Sequence, residues 1–287
     1  MSNKIKRTLM IMKQLYKDGN TTVYSLSNKD GYIKAKIQNK EKLEIGQIIE
    51  IEYSGEAIVD VSSYKIITNY KSEDYLPISK MDIEDIMNKI NKITNEYIVS
   101  PQAVKLNNYF FQDEEFLKEF KKCIGGVYMH HNYIGGLAEH TLHVMHLTQI
   151  FCELYHCRRP EIALLSAKLH DIGKIYELYY KGPFRYTLEG ELEGHIVIGI
   201  QMIDRAIREL GYEFSEDFIR RIKGCITQHH GKIEYGSPKA ANMEESFILN
   251  YADSVDATLN KINQIKENCK EDSWSEYEKK LETRLYL

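Results

Sequence analysis

At 287 residues the chain can bury a full core and hold two domains, and its 43% hydrophobic and 28% charged residues are ordinary for a soluble globular protein. No apolar run approaches the roughly eighteen residues needed to span a bilayer, which excludes a helical membrane protein and a membrane partner. A net charge of −4 does not advertise nucleic-acid binding. Residues 1–76 hold 12 Lys and Arg against 10 Asp and Glu, and the remainder 26 against 32, so a local basic surface is expected only on the N-terminal part.

The opening MSNKIKRTLMIMK is basic but lacks the apolar run and small-residue cleavage site of a signal peptide, so the expected location is cytoplasmic. The five cysteines, Cys123, Cys152, Cys157, Cys225 and Cys269, form no CxxC pair and fit reduced thiols. Cys152 and Cys225 sit among apolar helix positions and read as packing.

Up to about Ile67 the pattern is that of strands. GYIKAKIQN alternates Ile33, Ala35 and Ile37 with Lys34 and Lys36, IGQIIEIEYSG puts Ile49, Ile51 and Tyr53 on one side, and AIVDVSSYKII closes the region. Turn signals at Asp18-Gly19-Asn20, Lys29-Asp30-Gly31 and Ser54-Gly55 separate the runs. Five short strands in about 65 residues predict a small all-β barrel like the oligonucleotide-binding (OB) barrel over 1–76. On such a barrel Lys34, Lys36, Tyr24, Tyr32 and Tyr64 are candidates to grip and stack single-stranded nucleic acid, with a solvated face and ordinary core aromatics as the plainer alternative.

From residue 77 to 287 the period is helical. MDIEDIMNKINKI carries Ile83, Ile86, Met87, Ile90 and Ile93 on one stripe behind an expected N-cap at Ser79. Further helices are predicted over 105–122, 137–156, 160–172, 195–210, 215–230 and 242–268. YELYYKGPFRYTLEG between two of them reads as a hairpin turning at Gly182-Pro183, and the stretch from Glu271 as peripheral. The predicted fold is an N-terminal barrel followed by an all-α bundle with a short β-hairpin insertion.

Seven residues able to hold a metal follow one order along these helices: His140, His170, Asp171, His195, His229, His230 and Asp253. His140 lines up with Val144, Leu147 and Phe151. His170-Asp171 end a helix ahead of Gly173. His195 leads a stripe with Ile198 and Met202, and His229 ends the stripe of Phe218, Ile222 and Cys225 before Gly231. A single histidine on an apolar face is more often a hydrogen-bonded core residue than a ligand. A buried aspartate, however, must find a partner or a metal. Seven such residues at helix ends or inward faces point jointly to one site, and imidazole plus carboxylate suits Mn²⁺, Fe²⁺, Co²⁺ or Zn²⁺. His143, His146 and His156 fit the pattern less well and read as structural or exposed.

The set His140, His170-Asp171 and Asp253 resembles the H…HD…D signature of the HD-domain metal-dependent phosphohydrolases, and the added His195 and His229-His230 resemble its two-metal members. The segments HHNYIGGLAEHTLHV, LHDIGKIYEL, LEGELEGHIVIG and HHGKIEYGSPKAANMEESFILNYADSVDA are similar to the YhaM-type 3′–5′ exoribonucleases of Gram-positive bacteria, in which an OB domain precedes the HD domain. The likeness is strong over roughly 77–262, with an HD core at 105–262, and over the first 76 residues rests on architecture and IGQIIEIEYSG.

That resemblance implies a 3′–5′ exoribonuclease that hydrolyses single-stranded RNA, with DNA a further candidate, to nucleoside monophosphates by two-metal activation of water. One divalent ion, Mn²⁺ first and Fe²⁺, Co²⁺, Zn²⁺ or Mg²⁺ as alternatives, would be held by His140, His170, Asp171 and Asp253. The other would be held by Asp171 as a bridge with His195, His229 and His230. Lys174, one turn past Asp171, is the candidate catalytic cation on the substrate phosphate. His130, His131 and Arg185 are further candidate substrate contacts, with Tyr186 beside Arg185 on the hairpin, and Asp256 is a candidate to orient a ligand. A homo-oligomer is also implied. The alternatives are an HD-type phosphodiesterase or phosphatase acting on a small nucleotide, and a nucleic-acid-binding protein without catalysis.

Overall fold

The alternation in the first 67 residues produces five strands: β1 (Ile5–Asp18), β2 (Thr21–Asn28), β3 (Gly31–Gln38), β4 (Ile48–Ser54) and β5 (Ile58–Ile67). The computed structural model describes residues 5–38, 43–54, 58–128, 130–267 and 269–287. Asn39, Gly55 and Ala57, which belong to the expected strand ends and the Ser54-Gly55 turn, lie outside them. The strands close into a barrel in the order β1-β2-β3-β5-β4, with β3 and β5 parallel and the other pairs antiparallel. Closure depends on β1. Its first half pairs with β4 and its second with β2, and register shifts between Ile11 and Lys13 and between Gln14 and Tyr16 bend it from one partner to the other.

Inside the barrel the alternating residues Ile11, Leu26, Ala35, Ile37, Ile49 and Ile51 are all fully buried. Each large aliphatic among them contributes roughly 1.5–3 kcal/mol of burial. Tyr24 belongs to this core at 1% exposure, which corrects its reading as a stacking platform, because a ring buried in the barrel core has no face left for a base. Tyr64 is half-buried against the same core, while Lys34 and Lys36 stand exposed on β3.

The helical part contains α1 (Ile83–Tyr97), α2 (Pro101–Phe111), α3 (Glu114–Lys122), α4 (Gly136–Leu154) and α5 (Pro160–Leu169). It continues with α6 (Lys174–Glu177), α7 (Leu188–Leu210), α8 (Glu216–Gln228) and α9 (Glu244–Lys266). Between α6 and α7 the short strands β6 (Leu178–Tyr179) and β7 (Arg185–Tyr186) pair as the expected hairpin. Two compact units result, one of residues 1–78 with 179–185 and one of 79–178 with 186–287. No helix among the described residues is long and apolar enough to cross a membrane.

Three helix boundaries differ from expectation, each for a capping reason. Asp82, not Ser79, caps α1, its carboxylate accepting from Glu84 N at 2.9 Å and Asp85 N at 3.1 Å; Ser79 donates to Glu139 instead. The helix predicted over 105–122 is two, because Asp113 accepts from Phe116 N at 2.6 Å and restarts the chain as α3. The helix predicted from His195 begins earlier, at Leu188 behind Thr187, and is broken at Gly194 (φ 73°, ψ 156°).

α5 is the central helix, packed against α1, α2, α4, α8 and α9, and every residue from Ile162 to Leu169 is buried. Its one buried basic group, Lys168, pushed down to about 7 by burial, donates to Thr94 Oγ1 at 2.9 Å and Asn107 Oδ1 at 2.7 Å, and its Nζ lies 3.9 Å from the centre of the Phe111 ring. That anchoring fixes the helix whose end carries His170 and Asp171.

Candidate metal centre

His170 terminates α5, and the following turn Asp171-Ile172-Gly173 leads into α6. A Cβ at Gly173 would stand 2.1 Å from His195 O and 2.8 Å from Gly199 N, so only glycine lets α7 come this close. The close approach brings His195 beside Asp171. α4 delivers His140, the end of α8 delivers His229 and His230, and α9 delivers Asp253. His140, His170, Asp171 and His229 are almost wholly buried.

The hydrogen bonds on one side of each ring determine what the other side can do. His170 Nδ1 donates to Ala167 O at 2.9 Å and His229 Nδ1 to Ile226 O at 2.7 Å, since a carbonyl can only accept. His140 Nδ1 lies 2.7 Å from Asp256 Oδ2, and His195 Nδ1 lies 3.0 Å from Glu177 Oε1. When each ring is neutral with its proton on Nδ1, its Nε2 lone pair is turned toward one shared carboxylate. His140 Nε2 is 3.4 Å and His170 Nε2 3.3 Å from Asp171 Oδ2; His195 Nε2 is 3.4 Å and His229 Nε2 3.8 Å from Asp171 Oδ1.

This arrangement fits a cation. The Nε2 atoms of His140 and His170 stand 3.2 Å apart, and Asp253 Oδ1 is 3.3 Å from His140 Nε2. Donors bound about 2.1 Å from one ion stand roughly 3–3.4 Å from each other. Asp171 Oδ1, His195 Nε2, His229 Nε2 and His230 Nδ1 are buried and make no hydrogen bond among the described residues. Buried polar atoms left so are costly unless a ligand meets them. Two donor groups, His140-His170-Asp253 and His195-His229-His230, each gather within the reach of one ion, with Asp171 facing both.

Electrostatics support the same picture. Burial pushes His229 well below the ordinary imidazole range, helped by the His230 and His170 rings, and it lowers His230 likewise, so both present lone pairs. Burial would raise Asp171, but the His170 ring and the Lys174 ammonium hold it well below the usual carboxylate range. His140 goes the other way. Burial would lower it, yet Asp171, Asp253 and Asp256 around it raise it well above normal, so proton and cation compete for its Nε2.

The remaining expected residues separate. Lys174 is buried, with Nζ donating to Gly125 O at 2.7 Å and forming an ion pair with Asp171 Oδ2 at 2.6 Å, a charge contact off the hydrogen-bonding axis. His130 lies beside the centre with its ring 5.5 Å from that of His140, and burial together with the His140 and Lys174 charges drives its pKa down to about 3. His131 does not reach a substrate surface. It is fully buried with Nε2 2.7 Å from Asp256 and Nδ1 2.9 Å from the Tyr133 hydroxyl, so it stands behind His140 as support. Arg185 lies over the Tyr179 ring at 4.5 Å.

His143 completes the support, its Nδ1 2.8 Å from Asp256 Oδ1, so one carboxylate receives three imidazoles. Sequence reasoning missed Glu177. Its signal was a carboxylate in LHDIGKIYEL, six residues past Asp171 and next to the apolar Leu178, where burial demands a partner.

A family model described as HD domain matches residues 137–258. The chain is 30% identical over 278 residues to the 3′-5′ exoribonuclease YhaM of Bacillus pumilus (strain SAFR-032), covering 91% of this chain and 86% of that relative. Identity to the 3′-5′ exoribonuclease YhaM of Bacillus subtilis (strain 168) is 28% with the same coverage. To that of Geobacillus sp. (strain WCH70) it is 33% over 216 residues, 74% of this chain and 64% of the relative.

Proposed function

The chain belongs to the family of YhaM 3′–5′ exoribonucleases, HD-domain phosphohydrolases, and we propose that it removes nucleoside monophosphates from the 3′ end of single-stranded RNA. The observation that carries this reading is the convergence of four imidazole Nε2 atoms on the two oxygens of Asp171, with the Asp253 carboxylate against one of those nitrogens, His140 Nε2.

His140, His170 and Asp253 would hold one divalent ion and His195, His229 and His230 the other, with Asp171 a ligand to both. Such ions supply Lewis acidity toward phosphate oxygens and lower the pKa of water. Imidazole with carboxylate is a donor set for Mn²⁺, Fe²⁺, Co²⁺ or Zn²⁺.

The chain's own residues do the rest. Lys174 holds a positive charge at the centre, its ammonium donating to Gly125 O and paired by charge with Asp171 Oδ2, and an ammonium has three donors, so it can also meet a phosphate oxygen. His130, neutral and beside His140, can donate or accept toward the terminal nucleotide. Asp256 keeps the His140 proton on Nδ1, so that Nε2 stays directed at the centre. Lys34 and Lys36 stand exposed on β3 and can supply positive charge to RNA phosphates.

The test incubates the purified protein and Mn²⁺ with 5′-labelled single-stranded RNA, and in parallel with single-stranded DNA, cyclic dinucleotides and nucleoside triphosphates. A ladder of shortening 5′-labelled RNA is the expected result. Turnover of the small nucleotides alone would move the substrate, and no turnover with any divalent metal would overturn the catalytic reading.

A further inference from the structure

Four imidazoles surround Asp171, but their outer nitrogens are held by unequal partners. His170 and His229 are each held by a neutral backbone carbonyl three residues back, a consequence of ending a helix. His140 and His195 are held by carboxylates, Asp256 and Glu177, and each serves a different half of the centre.

We propose that Glu177 is the positioning residue of the His195 half, the group that aims His195 Nε2 at an ion shared with His229 and His230. The inference rests on the reading that those three histidines hold a metal. Glu177 Oε1 accepts twice from the same residue, from His195 Nδ1 and from His195 N, each at 3.0 Å. Holding ring and backbone together leaves His195 a single orientation. A charged acceptor also makes the imidazole a better donor to a cation than a carbonyl does.

The surrounding backbone is built around this contact. In an unbroken helix His195 N would donate to the carbonyl four residues back, at Glu191. Gly194, at φ 73° and ψ 156°, breaks that bond and turns the amide to Glu177. A Cβ at Gly190 would stand 2.3 Å from Glu177 O, and Thr187 N donates to that same oxygen at 2.9 Å, so the start of α7 is locked onto Glu177. From the opposite side Gly173 packs against His195 O. Glu177 is buried at 6% exposure.

The experiment uses the full-length protein, stripped of metal, in the variants Glu177→Ala, Glu177→Gln, His195→Ala and Asp256→Asn. Each is titrated calorimetrically with Mn²⁺ and followed by visible absorption with Co²⁺. Glu177→Ala is expected to weaken one of two Mn²⁺ equivalents by about a hundredfold, and Glu177→Gln, a neutral acceptor of the same shape, by about tenfold. The affected equivalent is the one His195→Ala removes, and Asp256→Asn weakens the other. The Co²⁺ spectrum of that equivalent should shift in Glu177→Gln.

Both affinities kept within twofold in the Glu177 variants while His195→Ala loses one would overturn the positioning role alone. Both kept in His195→Ala as well would overturn the two-ion reading and this role with it. Equal weakening of both equivalents would make Glu177 a general structural residue and also overturn it. If Glu177→Ala does not fold, Glu177→Gln decides by the same criteria.

Discussion

The barrel and the helical unit bury different chemistry. Among the described residues of the barrel the enclosed side chains are apolar apart from Thr22 and Ser27. In the helical unit the buried set includes His131, Glu139, His140, Lys168, His170, Asp171, Lys174, Glu177, His229 and Asp256. Removing a charge or imidazole from water is costly unless something meets it, so a region that buries many must be organised around their partners. Lys168 finds Thr94 and Asn107, and Asp256 finds three histidines; Asp171 Oδ1 and the Nε2 atoms of His195 and His229 find none among the described residues. Function is therefore readable from the interior of one unit, whereas in the other it has to be sought on an exposed face.

The contrast can be broken most directly at Asp171. Replacement by Ala removes the carboxylate facing both donor groups, and turnover on labelled RNA should fall on the order of a thousandfold. Elemental analysis should find the bound metal lost as well. Turnover retained at high Mn²⁺ would end the bridging assignment. The next largest effect is expected on stability. Asn107→Ala leaves the buried Lys168 ammonium one acceptor short and should cost about 2–3 kcal/mol in urea unfolding.

For the barrel the expected effects are smaller and lie on its surface. Lys34→Ala with Lys36→Ala should weaken RNA binding about tenfold at low salt and flatten its dependence on salt, without changing cleavage of a bound strand. Unchanged binding and salt dependence would remove these lysines from the interface. Smallest of all, Ser27→Ala deletes a single hydrogen bond to Tyr75 O at 2.8 Å and should cost about 1 kcal/mol in the same unfolding assay. A loss as large as that of Asn107→Ala would erase the distinction between the two interiors.

Much of the architecture was legible because period is a local property. Ile33, Ala35 and Ile37 alternate with Lys34 and Lys36, and only one set can face the barrel core. The helical stripes worked in the same way, and the Ser215 cap and Gly231 stop stand where the sequence put them. Less legible were the boundaries where two residues compete to cap, as at Ser79 and Asp82, and the break at Asp113 inside an uninterrupted apolar pattern. For Tyr24 the sequence leaves core and stacking platform both open, because an aromatic in an amphipathic strand carries no mark of which side it fills, and burial decides for the core.

The order and type of the metal-capable residues and their placement at helix ends and inward faces are local properties, since they follow from 3.6-residue periodicity and from glycine stops. Which atoms of those residues meet is set by the folded chain. It directed the Nδ1 edges of four histidines outward to Ala167, Ile226, Asp256 and Glu177, leaving the Nε2 edges around Asp171. It also moved His131 from the substrate side to the support of His140. A ring's orientation is set by a hydrogen-bond partner that here lies as much as 125 residues away in the chain, and no local pattern encodes such a partner.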